Sequence, residues 1–247
     1  VTRHFLVVGA QRCGTTWLHD QLAAHPQIAM ARPSRPEPKV FLGDDPVDAD
    51  AYRARWFAHA AGAVVLGEKS TSYLESPTAP DRVAEALGTP QVVVQLRDPI
   101  ARAVSNWSFS RDHGVENRPL AEALRANLDG PHPWDPATSS VSPYAYLERG
   151  HYVRDLSRWL DRFPVRIQLL EEMLAEPTRI AELYAWLGVD PDVRPEADED
   201  PVNASTTAGG ELDDDLVARL RHHFRESDEA LAGLLGRDLP WTTRSLT

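Results

Sequence analysis

Thiols, lysines and long apolar runs are nearly missing from this chain. Its one cysteine, Cys13, excludes an internal disulfide framework and a cysteine-built zinc site. No run approaches the roughly 20 apolar residues of a membrane-spanning helix, so no membrane partner is expected. No basic-then-apolar leader precedes the first strand pattern, and the chain reads as cytoplasmic. A positive balance is also missing: 37 acidic against 26 basic residues give a net charge of −11. That argues against a broad nucleic-acid or membrane surface, and an anionic ligand would need a local cluster of cations. The basic residues include only two lysines, Lys39 and Lys69, the rest being arginine, as in a high-GC bacterial genome. Where arginine serves almost everywhere, the surviving lysines mark places suited to a compact, rotatable point charge. There is no internal repeat and no clean boundary. Residues 1–247, 42% of them hydrophobic, are read as one domain with a substantial core.

What is present begins at once. Phe5 to Val8 is a short apolar run of the kind that forms a buried strand. A glycine-bounded turn follows, Gly9-Ala10-Gln11-Arg12-Cys13-Gly14, then Thr15-Thr16 and a helical pattern carrying Trp17, Leu18 and Leu22. The two glycines have the spacing of a phosphate-binding loop. Such a loop turns successive N–H groups inward and adds the positive end of a helix. Thr15 and Thr16 add hydroxyl donors. A nucleotide triphosphatase would place Lys directly after the second glycine, then Ser or Thr for magnesium. Here Thr15 stands in that place and the nearest cation is Arg12, inside the loop. An accidental strand–turn–helix and a kinase-like site are the alternatives.

Residues 29–50 are crowded with Pro33, Pro36, Pro38 and Pro46 and read as an irregular loop. Within it lies Arg35-Pro36-Glu37-Pro38-Lys39-Val40-Phe41; on an extended segment, alternation would put Glu37 and Lys39 on one side. Further strands are expected over 63–67, 91–96 and 165–170, and helices over 52–60, 80–87, 119–127, 144–163 with a break at Gly150-His151-Tyr152, 180–187 and 212–235. The strand at 63–67 runs into Glu68-Lys69-Ser70. After the strand at 91–96 comes Arg97-Asp98-Pro99-Ile100-Ala101-Arg102-Ala103-Val104-Ser105, with Asp98 suited to cap a helix and Pro99 to begin it. Arg97 then stands at a strand end and Ser105 about two turns into the helix.

Together these elements identify the chain as similar to sulfotransferases that use 3′-phosphoadenosine 5′-phosphosulfate (PAPS), in the branch of the heparan sulfate-type and many bacterial enzymes. Arg12-x-Gly14-Thr15-Thr16 resembles the family's 5′-phosphosulfate loop, and Arg97 with Ser105 its 3′-phosphate element. Glu37-Pro38-Lys39-Val40-Phe41 looks like the segment bearing the family's proposed base. Glu68-Lys69-Ser70 looks like the one whose Lys lies near the transferred group. Gly150-His151-Tyr152 resembles the helix beside the nucleotide.

The resemblance implies an α/β, P-loop-like fold with a central parallel sheet flanked by helices, and a metal-independent enzyme. Its product would be 3′-phosphoadenosine 5′-phosphate (PAP). Arg12, Cys13, Gly14, Thr15, Thr16, Trp17, Arg97, Ser105, Tyr152 and Asn203 would hold the donor. Glu37 would act as base, with Arg12, Lys69 and Lys39 offsetting charge. His113 and His151 are rival bases. The acceptor would be a hydroxyl, less readily an amine, of a glycan or small metabolite, met by residues 31–50 and 128–143. A nucleotide-binding protein without catalysis is the remaining alternative.

Overall fold

The computed structural model describes residues 3–135, 142–176, 178–194 and 212–241. It resolves into two compact units, residues 1–96 with 155–202, and residues 97–154 with 203–247.

The first unit contains a sheet of five parallel strands: β1 (Arg3–Gly9), β2 (Ile28–Met30), β3 (Val65–Lys69), β4 (Gln91–Leu96) and β5 (Val165–Leu169). Their order is β2-β3-β1-β4-β5. Helices α1 (Thr15–Ala23), α2 (Ala49–Trp56), α3 (Ala79–Leu87), α7 (Leu170–Ala175) and α8 (Arg179–Leu187) belong with it. The β1 run explains the layering. Phe5 and Val7 pack in one cluster with Leu18 and Leu22 of α1 and Leu183 and Leu187 of α8. Alternation turns Leu6 and Val8 to the other face, where they are equally buried. A parallel sheet covered on both faces reads as an unbroken apolar run, and this one does. The α/β fold expected from the sequence is the one that forms.

The chain places β2 and β3 on one side of β1, then β4 and β5 on the other, so strand order reverses at β1. In open parallel sheets the ends of the strands at such a point form a ligand crevice. Val7 is level with Lys69, Gly9 with Val94, and the Ala10 N–H donates to the Gln95 carbonyl at 2.8 Å. Val8 and Leu96 therefore reach the same edge of the sheet.

Several boundaries differ from expectation. β2 lies at the edge of what reads as loop, because three residues are too few to show a period. β3 starts two residues later than expected and runs through Lys69, which is therefore a strand residue. α2 starts at Ala49, where the Asp48 carboxylate accepts the Ala51 N–H at 2.6 Å and sets the N-terminus. α7 is only six residues long and left no pattern to read.

The second unit contains α4 (Pro99–Asp112), α5 (Leu120–Leu128) and α9 (Asp214–Leu235), packed around Ile100, Trp107, Leu124, Leu220 and Phe224. The break expected at residues 150–152 is a short 3-10 turn, Glu148–Gly150, followed by α6 (Tyr152–Leu160). A Cβ on Gly150 would sit 2.5 Å from Phe224 and 2.9 Å from Pro99, so the turn requires glycine to pack there. Among the described residues no helix is long and apolar enough to cross a membrane.

Candidate active site

The glycine-bounded loop joins the end of β1 to α1. The Cys13 N–H returns to the Ala10 carbonyl at 3.3 Å, and Gly14 takes the left-handed conformation (φ 72°) that lets α1 begin immediately. No side chain caps α1 and its first turn carries no acid. The N–H groups of that turn are the ones a helix leaves without internal acceptors, which suits an anion. Thr15 is buried, whereas Arg12, Thr16 and Trp17 are half-buried. Gln11 ties the loop to the segment after β3, donating to Ser72 Oγ at 3.2 Å and Glu75 Oε1 at 3.0 Å.

Beside this loop at the same sheet edge, Glu37 meets Lys69. Lys69 Nζ lies 2.6 Å from Glu37 Oε1, and both side chains are largely buried, 9% and 17% exposed. The Thr71 N–H donates to Glu37 Oε2 at 3.0 Å and its hydroxyl reaches both carboxylate oxygens at 3.1 and 3.2 Å. The alternation expected to pair Glu37 with Lys39 does not apply, because Lys39 has φ 53° and opens a 3-10 turn over Val40–Leu42.

A buried carboxylate that sequence reasoning assigned no role holds this segment. Glu68 is fully buried and accepts from Tyr52 at 2.5 Å, Ser70 at 2.7 Å and Tyr73 at 2.7 Å. Two of those hydroxyls pass the connection on. Ser70 Oγ accepts the Lys39 N–H at 2.9 Å, and the Tyr73 hydroxyl accepts the Phe41 N–H at 3.1 Å. Burial raises the Glu68 carboxyl above its ordinary range, opposed by the three hydroxyls, and burial with the Glu68 charge pushes both tyrosines up. Glu68→Gln puts an amide donor among hydroxyls that already donate. The midpoint of thermal unfolding should fall by roughly 2–10 °C, the effect of ~1–3 kcal/mol in a chain of this size. An unchanged midpoint in a calorimetric scan would show that the network carries no load. The signal for Glu68 was an acid directly before the strand's terminal lysine.

His19, on the second turn of α1, is another residue the sequence did not mark. Its Nδ1 lies 2.9 Å from Asp20 Oδ1, and burial, with the Lys69 and Arg35 charges, lowers the imidazole against the pull of Asp20. His19 also lines a cleft of about 260 Å³ with Ala31, Arg32, Ser34 and His59.

In the second unit, Asp98 caps α4 through the Ile100 N–H at 2.9 Å and takes a two-pronged contact from Arg221 at 2.9 and 2.7 Å. Arg97 directly precedes it, and its carbonyl accepts the Tyr152 hydroxyl at 2.7 Å. Tyr152, expected at the nucleotide, thus has its hydroxyl engaged in fixing the Arg97 backbone. Ser105 lies two turns into α4. Arg102, of the same motif, turns inward, fully buried against Asn106 Oδ1 and the carbonyls of Ala145 and Tyr146. The rival bases have structural partners: His113 ends α4 against the Phe109 carbonyl at 2.8 Å, and His151 meets His223 at 3.0 Å between ring nitrogens. Asn203 lies outside the described residues, as does part of the 128–143 stretch. Among the described residues no three His, Cys, Asp or Glu side chains group as metal ligands.

Known proteins resemble this chain in sequence and in fold. The family model for the sulfotransferase domain matches residues 2–197. The bifunctional heparan sulfate N-deacetylase/N-sulfotransferase 2 of Bos taurus is 29% identical over 199 residues, covering 76% of this chain and 22% of that protein. The chain thus spans about a fifth of the length of such relatives. A sulfotransferase from Alicyclobacillus acidocaldarius superposes with a TM-score of 0.76 at 26% identity, covering 99% of this chain and all of the other. Mouse sulfotransferase SULT7A1, solved with PAP, shares the fold at a TM-score of 0.52 and 17% identity, over 90% of this chain and 63% of its own.

Proposed function

Since the chain belongs to the sulfotransferase family, we propose that it moves a sulfuryl group from PAPS to a hydroxyl or amine of a glycan or small molecule and releases PAP. The observation that carries the reading is the Glu37–Lys69 pair, 2.6 Å apart at the sheet edge that bears the glycine loop. A carboxylate able to take a proton and a cation able to offset charge stand side by side there, which suits in-line transfer.

The reaction follows from their chemistry. Glu37 takes the acceptor's proton as the acceptor atom bonds to sulfur, and the bond from sulfur to the bridging oxygen breaks, its electron pair remaining on the 5′-phosphate of PAP. Protonation removes the charge that holds Lys69. Its ammonium then offsets the charge developing on the leaving phosphate, together with Arg12 and supported by Lys39. Amides around Cys13–Trp17 and the hydroxyls of Thr15 and Thr16 take the phosphosulfate. Arg97 and Ser105 take the 3′-phosphate, for which a guanidinium fork is suited. Asn203 adds a nucleotide contact. Residues 1–247 serve as one sulfotransferase domain.

A net charge of −11 favours an acceptor of low charge over a heavily sulfated polymer. Titration calorimetry tests the donor assignment. PAP should bind at least about tenfold more tightly than ATP with magnesium, a difference of ~1.4 kcal/mol. Equal affinities, or a preference for ATP, would overturn it.

A further inference from the structure

Gln95 is a polar residue inside the apolar run Val92–Leu96, fully buried, with a role that nothing above has used. Its backbone carbonyl accepts the Ala10 N–H at 2.8 Å, and its side-chain amide donates to the Cys13 carbonyl at 2.7 Å. One residue thereby fastens both ends of the four-residue loop Ala10–Cys13. The amide orientation follows from chemistry. A carbonyl can only accept, so the NH₂ must face Cys13 and Oε1 must face elsewhere. Oε1 is buried and receives no hydrogen bond from any described residue. A leucine of similar size would fill this strand position without leaving a buried acceptor unmet. The hydrogen bond to Cys13 is what glutamine supplies and leucine cannot.

We infer that Gln95 is the positioning residue of the anion loop, holding the Cys13–Gly14 peptide so that the Gly14 N–H faces a bound phosphate. In a trans peptide the C=O and N–H point in opposite directions. Drawing the Cys13 carbonyl toward Gln95 therefore turns the Gly14 N–H away from β4. Packing agrees. A Cβ built on Gly14 would meet Leu170 Cδ1 at 2.7 Å and Gln95 Nε2 at 3.2 Å, so that side of Gly14 is closed by protein. Gly14 is also the residue from which α1 starts, and its N–H extends the set of helix-start donors by one. Without the Gln95 donor the Cys13 carbonyl loses this hold, and a peptide turned the other way would present that carbonyl to an anion. The inference deepens the donor assignment above and rests on it only for the identity of the nucleotide.

The test follows the Gly14 amide by ¹H–¹⁵N spectroscopy in the full chain while inorganic pyrophosphate, then PAP, is added. In the unsubstituted protein both should shift the Gly14 resonance. Gln95→Met keeps volume and removes the donor; the shift should be lost or reduced and affinity for both anions weakened about three- to tenfold. Adenosine 3′-phosphate, which lacks the 5′-phosphate, should bind both proteins within twofold. Should Gln95→Met not fold, Gln95→Glu gives the second reading: its carboxylate repels the Cys13 carbonyl near neutral pH and donates to it when protonated, so anion binding should recover in acid. An equal Gly14 response in variant and parent overturns the inference, as does no response in the parent. A response to pyrophosphate with no preference for PAP over ADP overturns the nucleotide assignment and leaves the role of Gln95 standing.

Discussion

Replacing Glu37 by glutamine is expected to lower turnover by ~10²–10⁴-fold while PAP affinity stays within about threefold. Glutamine keeps the shape of the side chain and one accepting oxygen but cannot take the acceptor's proton. The surroundings make the experiment more informative than a simple knock-out. Both carboxylate oxygens accept hydrogen bonds, one from Lys69 and the other from the Thr71 N–H. An amide can satisfy only one of these and must direct its NH₂ at the other donor. Some loss of thermal stability is therefore expected along with the loss of rate. The two are separated by assaying well below the variant's unfolding midpoint, with labelled PAPS and an acceptor found by panel screening on the parent protein. If the variant is merely less stable and turns over normally in the cold, Glu37 is a strut for Lys69. The search for a base would then move to His19, His113 and His151.

The second large effect is expected at Arg97. Arg97→Ala should weaken PAP binding at least about tenfold, the equivalent of a charge-assisted hydrogen bond of ~1.5–3 kcal/mol. AMP, which lacks the 3′-phosphate, should bind parent and variant alike. The backbone argues for a clean result. Tyr152 holds the Arg97 carbonyl, and Asp98, fixed by Arg221 and the Ile100 N–H, begins α4. None of these contacts uses the Arg97 side chain, so its removal should leave the turn in place. Equal losses for PAP and AMP would remove the 3′-phosphate assignment.

The sequence disclosed the parts of this molecule whose chemistry is local. Phe5–Val8 and Gln91–Leu96 announced themselves as buried strands because a sheet covered on both faces needs consecutive apolar residues. The loop from Gly9 to Gly14 was legible because both ends call for glycine, Gly14 for its left-handed backbone (φ 72°) and Gly9 because a Cβ there would sit 2.7 Å from Leu74. Lys69 was legible through the scarcity of its kind. What remained hidden depends on partners distant in the chain. Nothing near Glu37 indicates that its carboxylate meets Lys69 and Thr71, 32 and 34 positions onward. Glu68, Tyr52 and Tyr73 look like three scattered residues until folding stacks them beneath Lys39 and Phe41. Tyr152 was legible as a motif residue, yet its hydroxyl is spent on a backbone carbonyl. β2 and α7 were missed because elements of three and six residues hold too little of a period to be seen.

The contact between Gln95 and Cys13 also has a consequence for how the molecule comes into being. The two residues are separated by 82 positions. Closing so large a span costs chain entropy, which the pairing of β1 with β4 offsets, so this tether forms only together with that pairing. During synthesis the segment bearing Gly9 and Gly14 leaves the ribosome before β4, and the Cys13 carbonyl gains the Gln95 donor only after β4 has emerged and docked beside β1. The last hold on the loop is thus supplied by a strand made well after it. A chain made only as far as β3 carries the loop's glycines without the donor that orients the Gly14 N–H.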